Sequence, residues 1–369
     1  MKHRFGILTG GGDCPGLNAA IRAVTRKAYE SHADVVGFRF GWKGLIENDY
    51  VALDLDSVSG ILPRGGTILG SSRTNPFDHP HWMKAVVKNF EALNLDALMV
   101  IGGDGTLRAA HEVSEKLEIP LIGIPKTIDN DIFGTDATFG FDTAVSIATE
   151  AMDRLHTTAE SHQRVMIVEV MGRNTGWIAV ASGIASGADF ILIPEVSVTL
   201  ESILESLEKR HARGKTFSII VVAEGAQFDC ADHERVHKGR EDISKSLAFE
   251  IQQKTNDETR VTILGHVQRG GSPTAYDRIL ATQFGIHAVA LALNQDFGKM
   301  VALQGRSIIP IPLKQAVQKT KTCDLKFFDI AKSETSPIYF AFVPNIDFNW
   351  GNGMPYGITG DAFKIKFSG

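Results

Sequence analysis

Apolar, β-rich runs recur along the chain with helix-patterned stretches between them: Phe5–Leu8, Val35–Phe38, Ala97–Ile101, Leu121–Ile124, Val165–Val170, Phe190–Ile193, Phe217–Val222 and Val261–Leu264. Each is apolar almost without a break, which marks a strand covered on both faces, as in a mostly parallel sheet. The expected class is therefore α/β, doubly wound. Leu17–Glu30 and Thr143–Thr158 read as two of the intervening helices. Too many strands are present for one compact sheet of ordinary size, so two sheet-centred lobes are expected.

Composition narrows what such a chain does. The net charge is only −5 over 369 residues, so no global basic field favours nucleic acid or an anionic membrane surface, and any phosphate site must be local. No apolar run approaches the roughly 18 residues of a membrane span, and the polar start Met1-Lys2-His3-Arg4 opens straight into a strand, so neither a span nor a signal peptide is expected. Cys14, Cys230 and Cys323 are odd in number, far apart and form no CxxC pair. That argues for a reducing compartment, by default the cytoplasm, without disulfides or a thiolate zinc site.

Three motifs carry chemistry. LTGGGDCPGLNAAIRA (Leu8–Ala23) runs from strand through a glycine turn into a helix, placing backbone amides and a helix N-terminus where an anion can sit. It is neither GxGxxG nor GxxxxGKS, and a tight turn without a ligand is the plainer alternative. VIGGDGTLRAA (Val100–Ala110) repeats that design with Asp104 inside the turn. A carboxylate there repels bare phosphate, which points to Mg²⁺ between them; the alternative is that Asp104 only caps the helix. GIPKTIDNDIFGTD (Gly123–Asp136) gathers Asp129, Asp131 and Asp136 near Lys126. Such crowding is unfavourable unless a metal, a lysine or substrate hydroxyls share the site. Asp129 is the candidate general base, whereas Asp136, past Gly134 and Thr135, reads as an Asx-type loop residue.

Further cations and donors stand at strand ends. SHQRVMIVEVMGRNTGW places Arg164 before one strand and Met171, Gly172 and Arg173 after it; AEGAQ places Glu224 at another. TRVTILGHVQRGGSP places Arg260 before a strand and His266 and Arg269 after it, while GSSRTNPF carries Arg73. Arginine's planar fork matches phosphate. Six residues of strand span about 20 Å, so arginines at opposite ends cannot all reach one small ligand from one subunit. Arg164 and Arg260 are thus candidates for a neighbouring subunit's site. Surface ion pairs for the arginines, and a structural role for His266, are the alternatives.

Together, GGDCPGLNAAIRA, RGGTILGSSR, GGDGT, PKTIDND, SHQRVMIVEVMGR, AEG and GHVQRGGSPTAYDR resemble the phosphofructokinase family over nearly all of residues 1–280. The resemblance implies two Rossmann-like lobes with mostly parallel sheets and the active site in the cleft between them: residues 1–140 plus about 257–305 for the donor, and 141–256 plus about 306–369 for the sugar phosphate. It implies phosphoryl transfer to the C1 hydroxyl of fructose 6-phosphate, with Mg²⁺ as cofactor. By the same resemblance Gly11, Arg73, Thr74 and the turn Gly103, Asp104, Gly105 and Thr106 hold the donor, with Asp104 on Mg²⁺. Asp129 is then the proton acceptor, and Thr127 and Asp131 orient the reacting groups. Thr127, Ile128, Asp129, Met171, Gly172, Arg173, Glu224, His266, Val267, Gln268 and Arg269 bind substrate, with Arg164 and Arg260 reaching in from a partner. A homodimer or homotetramer with shared sites follows.

Two positions depart from common forms of the family. Asn174 stands where a histidine is usual, and Lys126 where many ATP-using bacterial members have glycine. That lysine is typical of pyrophosphate users, which usually pair it with an aspartate after GGD. Gly105 occupies that position here, leaving room and a free amide for a nucleotide's α-phosphate. ATP is therefore the expected donor and pyrophosphate the alternative. An NAD kinase shares GGDGT but has no reason to carry the other motifs, and a non-catalytic sensor would be expected to lose Asp104 or Asp129.

Overall fold

The computed structural model describes residues 2–229 and 243–334; Cys230 and residues 335–369, which the expected boundaries include, lie outside the described residues. The strands are β1 (Arg4–Thr9), β2 (Asp34–Phe38), β3 (Tyr50–Leu53), β4 (Ala97–Gly102), β5 (Leu121–Pro125), β6 (Val165–Val170), β7 (Phe190–Leu192), β8 (Val198–Thr199), β9 (Ser218–Ala223), β10 (Phe228–Asp229), β11 (Thr259–Ile263), β12 (Lys299–Gln304) and β13 (Ser307–Pro312). The helices are α1 (Leu17–Glu30), α2 (Trp42–Glu47), α3 (Trp82–Ala92), α4 (Asp104–Leu117), α5 (Phe141–His162), α6 (Trp177–Ser186), α7 (Leu200–Ala212), α8 (Ile243–Thr255), α9 (Ala275–Leu293), α10 (Leu313–Ala316) and α11 (Leu325–Glu334).

A seven-stranded sheet runs β13-β12-β5-β4-β1-β2-β3, parallel except where β3 and β13 pair antiparallel at its two edges. A four-stranded sheet, β11-β6-β9-β7, is parallel throughout. The α/β, mostly parallel architecture therefore holds. The inner strands β4, β5, β6 and β9 are buried at every residue, which is why their sequences are apolar apart from Glu169 in β6 and Ser218 in β9. One apolar core spans both sheets and takes in α1, α5, α6 and α9, while a second fills the other face of the large sheet beneath α2, α3 and α4.

Two strands depart from the expected lobe boundaries. β11 pairs with β6 in the small sheet, although 257–305 was expected with the first lobe. β13 pairs with β12 in the large sheet, although 306–369 was expected with the second. The reason for β13 is local: only Gly305 and Arg306 separate the strands, so the chain must fold back on β12. α11 does pack on α6, beside the small sheet.

In the large sheet β1 lies between β2 and β4, so successive connections leave it in opposite directions. Such a switch point opens a crevice outside the carboxyl ends of its strands. Both glycine turns leave those ends.

Candidate active site

A cleft of about 400 Å³ opens at the switch point. Gly11 and Gly12 of the β1–α1 turn, Gly103, Asp104, Gly105 and Thr106 at the start of α4, and Arg73 and Thr74 line it together. Gly103 caps α4 in an extended conformation with no side-chain partner for the first amides, so the helix N-terminus faces the cleft uncapped. The turns are stitched to one another. Gly10 N donates to Ile101 O at 2.9 Å and Gly11 N to Ser72 O at 2.9 Å. The side chain of Thr106 is wedged between Gly10 and Gly102: a Cβ on either would approach it at 2.6 Å and 2.3 Å. At Gly105 a Cβ would meet nothing within 4 Å.

The acid loop crosses the floor. Lys126 is 3% exposed, and its ammonium donates to Gly10 O at 3.0 Å and to Gly12 O. Burial pushes its pKa down. Asp129 is 2% exposed; Arg173 Nε lies 3.4 Å from its Oδ2, and its backbone N–H donates to Thr127 Oγ1 at 3.1 Å. Burial raises its pKa against the pull of Arg269 and Arg173. Asp131 is raised to about 6, first by burial and then by Asp129. The Oδ1 atoms of Asp129 and Asp131 are buried with no hydrogen-bond partner. Buried unpaired carboxylate oxygens are costly, and functional sites are where that cost is retained.

From the small sheet come the loops after β6, β9 and β11. Arg173, in the left-handed region at φ 54°, reaches the cleft, and its backbone N–H donates to Glu224 Oε1 at 2.7 Å. Glu224 thus holds the turn that aims Arg173. Thr175 Oγ1 donates to Asp129 O at 3.3 Å, joining this turn to the acid loop. Arg269 lines the cleft from a 3-10 turn, Gly265–Arg269, with Nη1 3.5 Å from Asp13 O and Nε buried without a partner.

Other candidates lie elsewhere. Ile128 is buried in the core, and Met171 and Gly172 back the turn without lining the cleft. Gln268 is buried with Nε2 on Gly265 O, whereas His266 and Val267 are exposed and outside the cleft lining. Arg164 and Arg260 stand at the amino ends of β6 and β11, opposite the cleft. Both bond Glu258: Arg164 through Nε at 2.8 Å and Nη2 at 3.0 Å, and Arg260 through Nη2. Neither arginine lines this cleft. Asp136 accepts from Gly305 N at 2.7 Å, a loop role.

Among the described residues no three His, Cys, Asp or Glu side chains gather into a protein-only metal cage. Asp104 at the helix start lines the cleft within electrostatic reach of Asp131, whose Oδ1 is unpaired, a sparse all-oxygen pair rather than a cage. It fits Mg²⁺, which keeps waters and phosphate oxygens as most of its ligands. Asp104 is meanwhile paired with Arg108 at 3.0 Å.

The cleft is also lined by Trp42, Phe77, Arg108 and Glu112, none of them singled out as site residues, although Phe77 ends GSSRTNPF and Arg108 lies in VIGGDGTLRAA. Arg108 and Glu112 follow Asp104 at four-residue steps, so helical spacing alone could have placed them on its face. Trp42 lies outside every glycine or charge pattern, and Phe77 ends a stretch in which Arg73 carried the signal.

A family model described as Phosphofructokinase matches residues 4–292. The chain is 52% identical over 332 residues to a Streptomyces coelicolor protein named ATP-dependent 6-phosphofructokinase 3, covering 86% of this chain and 96% of that one. It is 50% identical over 339 residues to one from the same organism named pyrophosphate-fructose 6-phosphate 1-phosphotransferase, covering 88% and 98%. A crystal structure of Pichia pastoris phosphofructokinase in the T-state superposes with a TM-score of 0.77 at 31% identity, covering 91% of this chain and 37% of that one.

Proposed function

The chain belongs to the phosphofructokinase family, and on that premise we propose that it transfers the terminal phosphoryl group of ATP to the C1 hydroxyl of fructose 6-phosphate, giving fructose 1,6-bisphosphate and ADP, a step of glycolysis. The observation that carries ATP is the shape of the cleft. Gly105 opens on space in a cleft also lined by Trp42, Phe77, Arg108 and Glu112, room that a bare pyrophosphate does not use. Lys126 also weighs less as a pyrophosphate ligand, because its ammonium is committed to Gly10 O and Gly12 O.

In this reading the amides of the two turns and Arg73 hold the donor phosphates. Asp129, its carboxylate flanked by Arg173, takes the C1 hydroxyl proton as the oxygen attacks the terminal phosphorus and ADP departs. A raised pKa suits a base that must accept a proton and hold it through the reaction. Thr127 and Asp131 orient the reacting groups, and Arg173 and Arg269 bind the sugar phosphate, with Glu224 fixing the Arg173 turn. Asp104, with Asp131 nearby, would hold Mg²⁺, which supplies neutralisation of donor phosphate charge. Arg164 and Arg260 complete a partner subunit's site in a cytoplasmic homodimer or homotetramer. Among the described residues no helix is long and apolar enough to cross a membrane.

A pyrophosphate-dependent fructose-6-phosphate 1-phosphotransferase is the second reading, favoured by Lys126 in the cleft wall and by a relative of that name at 50% identity. A panel of ATP, other nucleotides and pyrophosphate against several sugar phosphates, with product measured in both directions, separates the two. Turnover with ATP and fructose 6-phosphate is expected. Robust turnover with pyrophosphate and none with ATP overturns the reading.

A further inference from the structure

The acid loop is braced from a part of the chain that carries no motif. Residues 319–323, between α10 and α11, lie along it: Lys319 stacks its ammonium 4.3 Å from the Phe133 ring, and Thr320 bridges Ile132. Lys321 does most. Its Nζ donates to Asn130 Oδ1 at 3.0 Å, Thr135 O at 2.9 Å and Asp136 O at 3.0 Å, which uses all three ammonium hydrogens. Its backbone N–H donates to Asp131 O at 2.8 Å.

The same short segment also grips the Arg173 side of the cleft. Trp177, at the start of α6, donates from Nε1 to Lys321 O at 3.1 Å and lays its ring 5.0 Å from Lys321 Nζ. Cys323 N donates at 2.8 Å to Glu195 Oε1, and Glu195 accepts Gly176 N through both oxygens at 3.1 and 3.0 Å. A strap thus joins the loop bearing Asp129 and Asp131 to the helix that follows the Arg173 turn.

The Oδ1 of each carboxylate has no partner, and beyond the Arg173 contact to Asp129 Oδ2 at 3.4 Å their aim leans on the loop backbone. Asn130 stands between them in the left-handed region at φ 52°, which asparagine tolerates, and its side chain gives the turn a handle that can be held from outside. That hold comes from Lys321 on Asn130 Oδ1, shared with Thr138 N at 3.1 Å. We infer that Lys321 is a positioning residue, which acts through Asn130 and the loop carbonyls to aim Asp129 and Asp131. The inference rests on the reading of Asp129 as the base.

The test compares Lys321→Met, Lys321→Gln and Lys321→Arg with Asp129→Ser in the full chain, with kcat and both KM values measured beside calorimetric binding of fructose 6-phosphate. Misplacement of a reacting group by about 1 Å costs on the order of 100-fold in rate. Lys321→Met is therefore expected to lose about 100-fold in kcat with each KM within about threefold of wild type. Lys321→Arg, which keeps the charge and several donors, should recover a substantial part of that loss. Full kcat in Lys321→Met overturns the inference, as does a loss confined to KM. If Lys321→Met fails to fold, Lys321→Gln carries the same test, and wild-type kcat in it is equally fatal. Surviving turnover in Asp129→Ser, by contrast, sinks the assignment of the base itself.

Discussion

At the β1–α1 turn, Gly10 faces Thr106 so closely that an added Cβ would come to 2.6 Å of it, and Lys126 fills the space beneath. At the β4–α4 turn, Gly102 is under the same constraint from the same threonine, but three residues later Gly105 looks into open cleft. The two turns resemble each other in sequence, but their glycines are not under one constraint. Gly10 and Gly102 are small because neighbouring protein occupies the space a side chain would need. Gly105 is under no such constraint, since a Cβ there would meet no protein atom within 4 Å, which leaves room on the cleft wall. A glycine-rich motif therefore mixes residues that the fold requires with residues that packing leaves free, and it is on the free one that the proposed choice of donor rests.

The largest effect that could break this contrast is at Gly105. Gly105→Asp meets no protein atom and lies on ordinary helical backbone, so the melting temperature should stay at the wild-type value. A carboxylate facing a donor phosphate costs several kcal/mol, so kcat/KM for ATP should fall by about 1,000-fold. Binding of fructose 6-phosphate should stay within about twofold, which calorimetry can read. A destabilised protein, or equal loss of both ligands, would erase the distinction between the turns.

Gly102→Ala is the mirror experiment. Its methyl would lie 2.3 Å from Thr106 Cβ, so overpacking should destabilise the protein by about 3 kcal/mol in denaturant titration. Wild-type stability there would show that the wedge is slack.

The acid loop between the turns offers a third measure. Burial raises the folded pKa of Asp131 from 3.8 to about 6, so the folded protein favours the protonated acid. The group's contribution is fully present below the unfolded pKa and is lost as pH rises from about 4 through 6. Asp131→Asn, neutral throughout, should therefore stabilise the ligand-free protein at pH 7.5 by about 2 kcal/mol and by almost nothing at pH 4. Melting curves at the two pH values, with chelator present, should show a gap that closes on acidification; a constant gap contradicts this.

The smallest effect belongs to Gly12, where an added Cβ would sit 2.8 Å from Arg269 Nη1. The end of a flexible side chain can move, so Gly12→Ala should keep its stability. Displacing Arg269 should raise KM for the sugar phosphate about threefold to tenfold, about 1 kcal/mol. An unchanged KM would separate the first turn from the sugar side of the cleft.

The parts legible in the sequence share one property: their signal is local. β4 announces itself as an unbroken apolar run and β6 as one interrupted only by Glu169, and GGDGT, PKTIDND and MGR mark turns where glycine or charge ends such a run. The start and end of α1 match its pattern to the residue. What stayed hidden depends on distance along the chain. KMVALQ and SIIPIP make good strands, but nothing in them says that β12 will join β5 rather than the small sheet. Trp42 is an ordinary core residue by type, and its place in the cleft lining comes from how α2 packs. Lys321 is one lysine among many until the fold brings it to Asn130. His266 and Arg269, three residues apart, fall in different surroundings on the 3-10 turn, the histidine exposed and the arginine buried in the cleft wall.

Lys321 reaches a partner 191 positions earlier in the chain. Synthesis delivers these residues in order, and at usual rates the interval is about 10–40 s. Through that time a nascent chain already contains both glycine turns and both carboxylates, but not the lysine that holds Asn130. An unfinished chain can fold much of its large sheet and still hold its carboxylates unaimed. On the positioning role inferred for Lys321, catalytic competence comes only after most of the scaffold has been made.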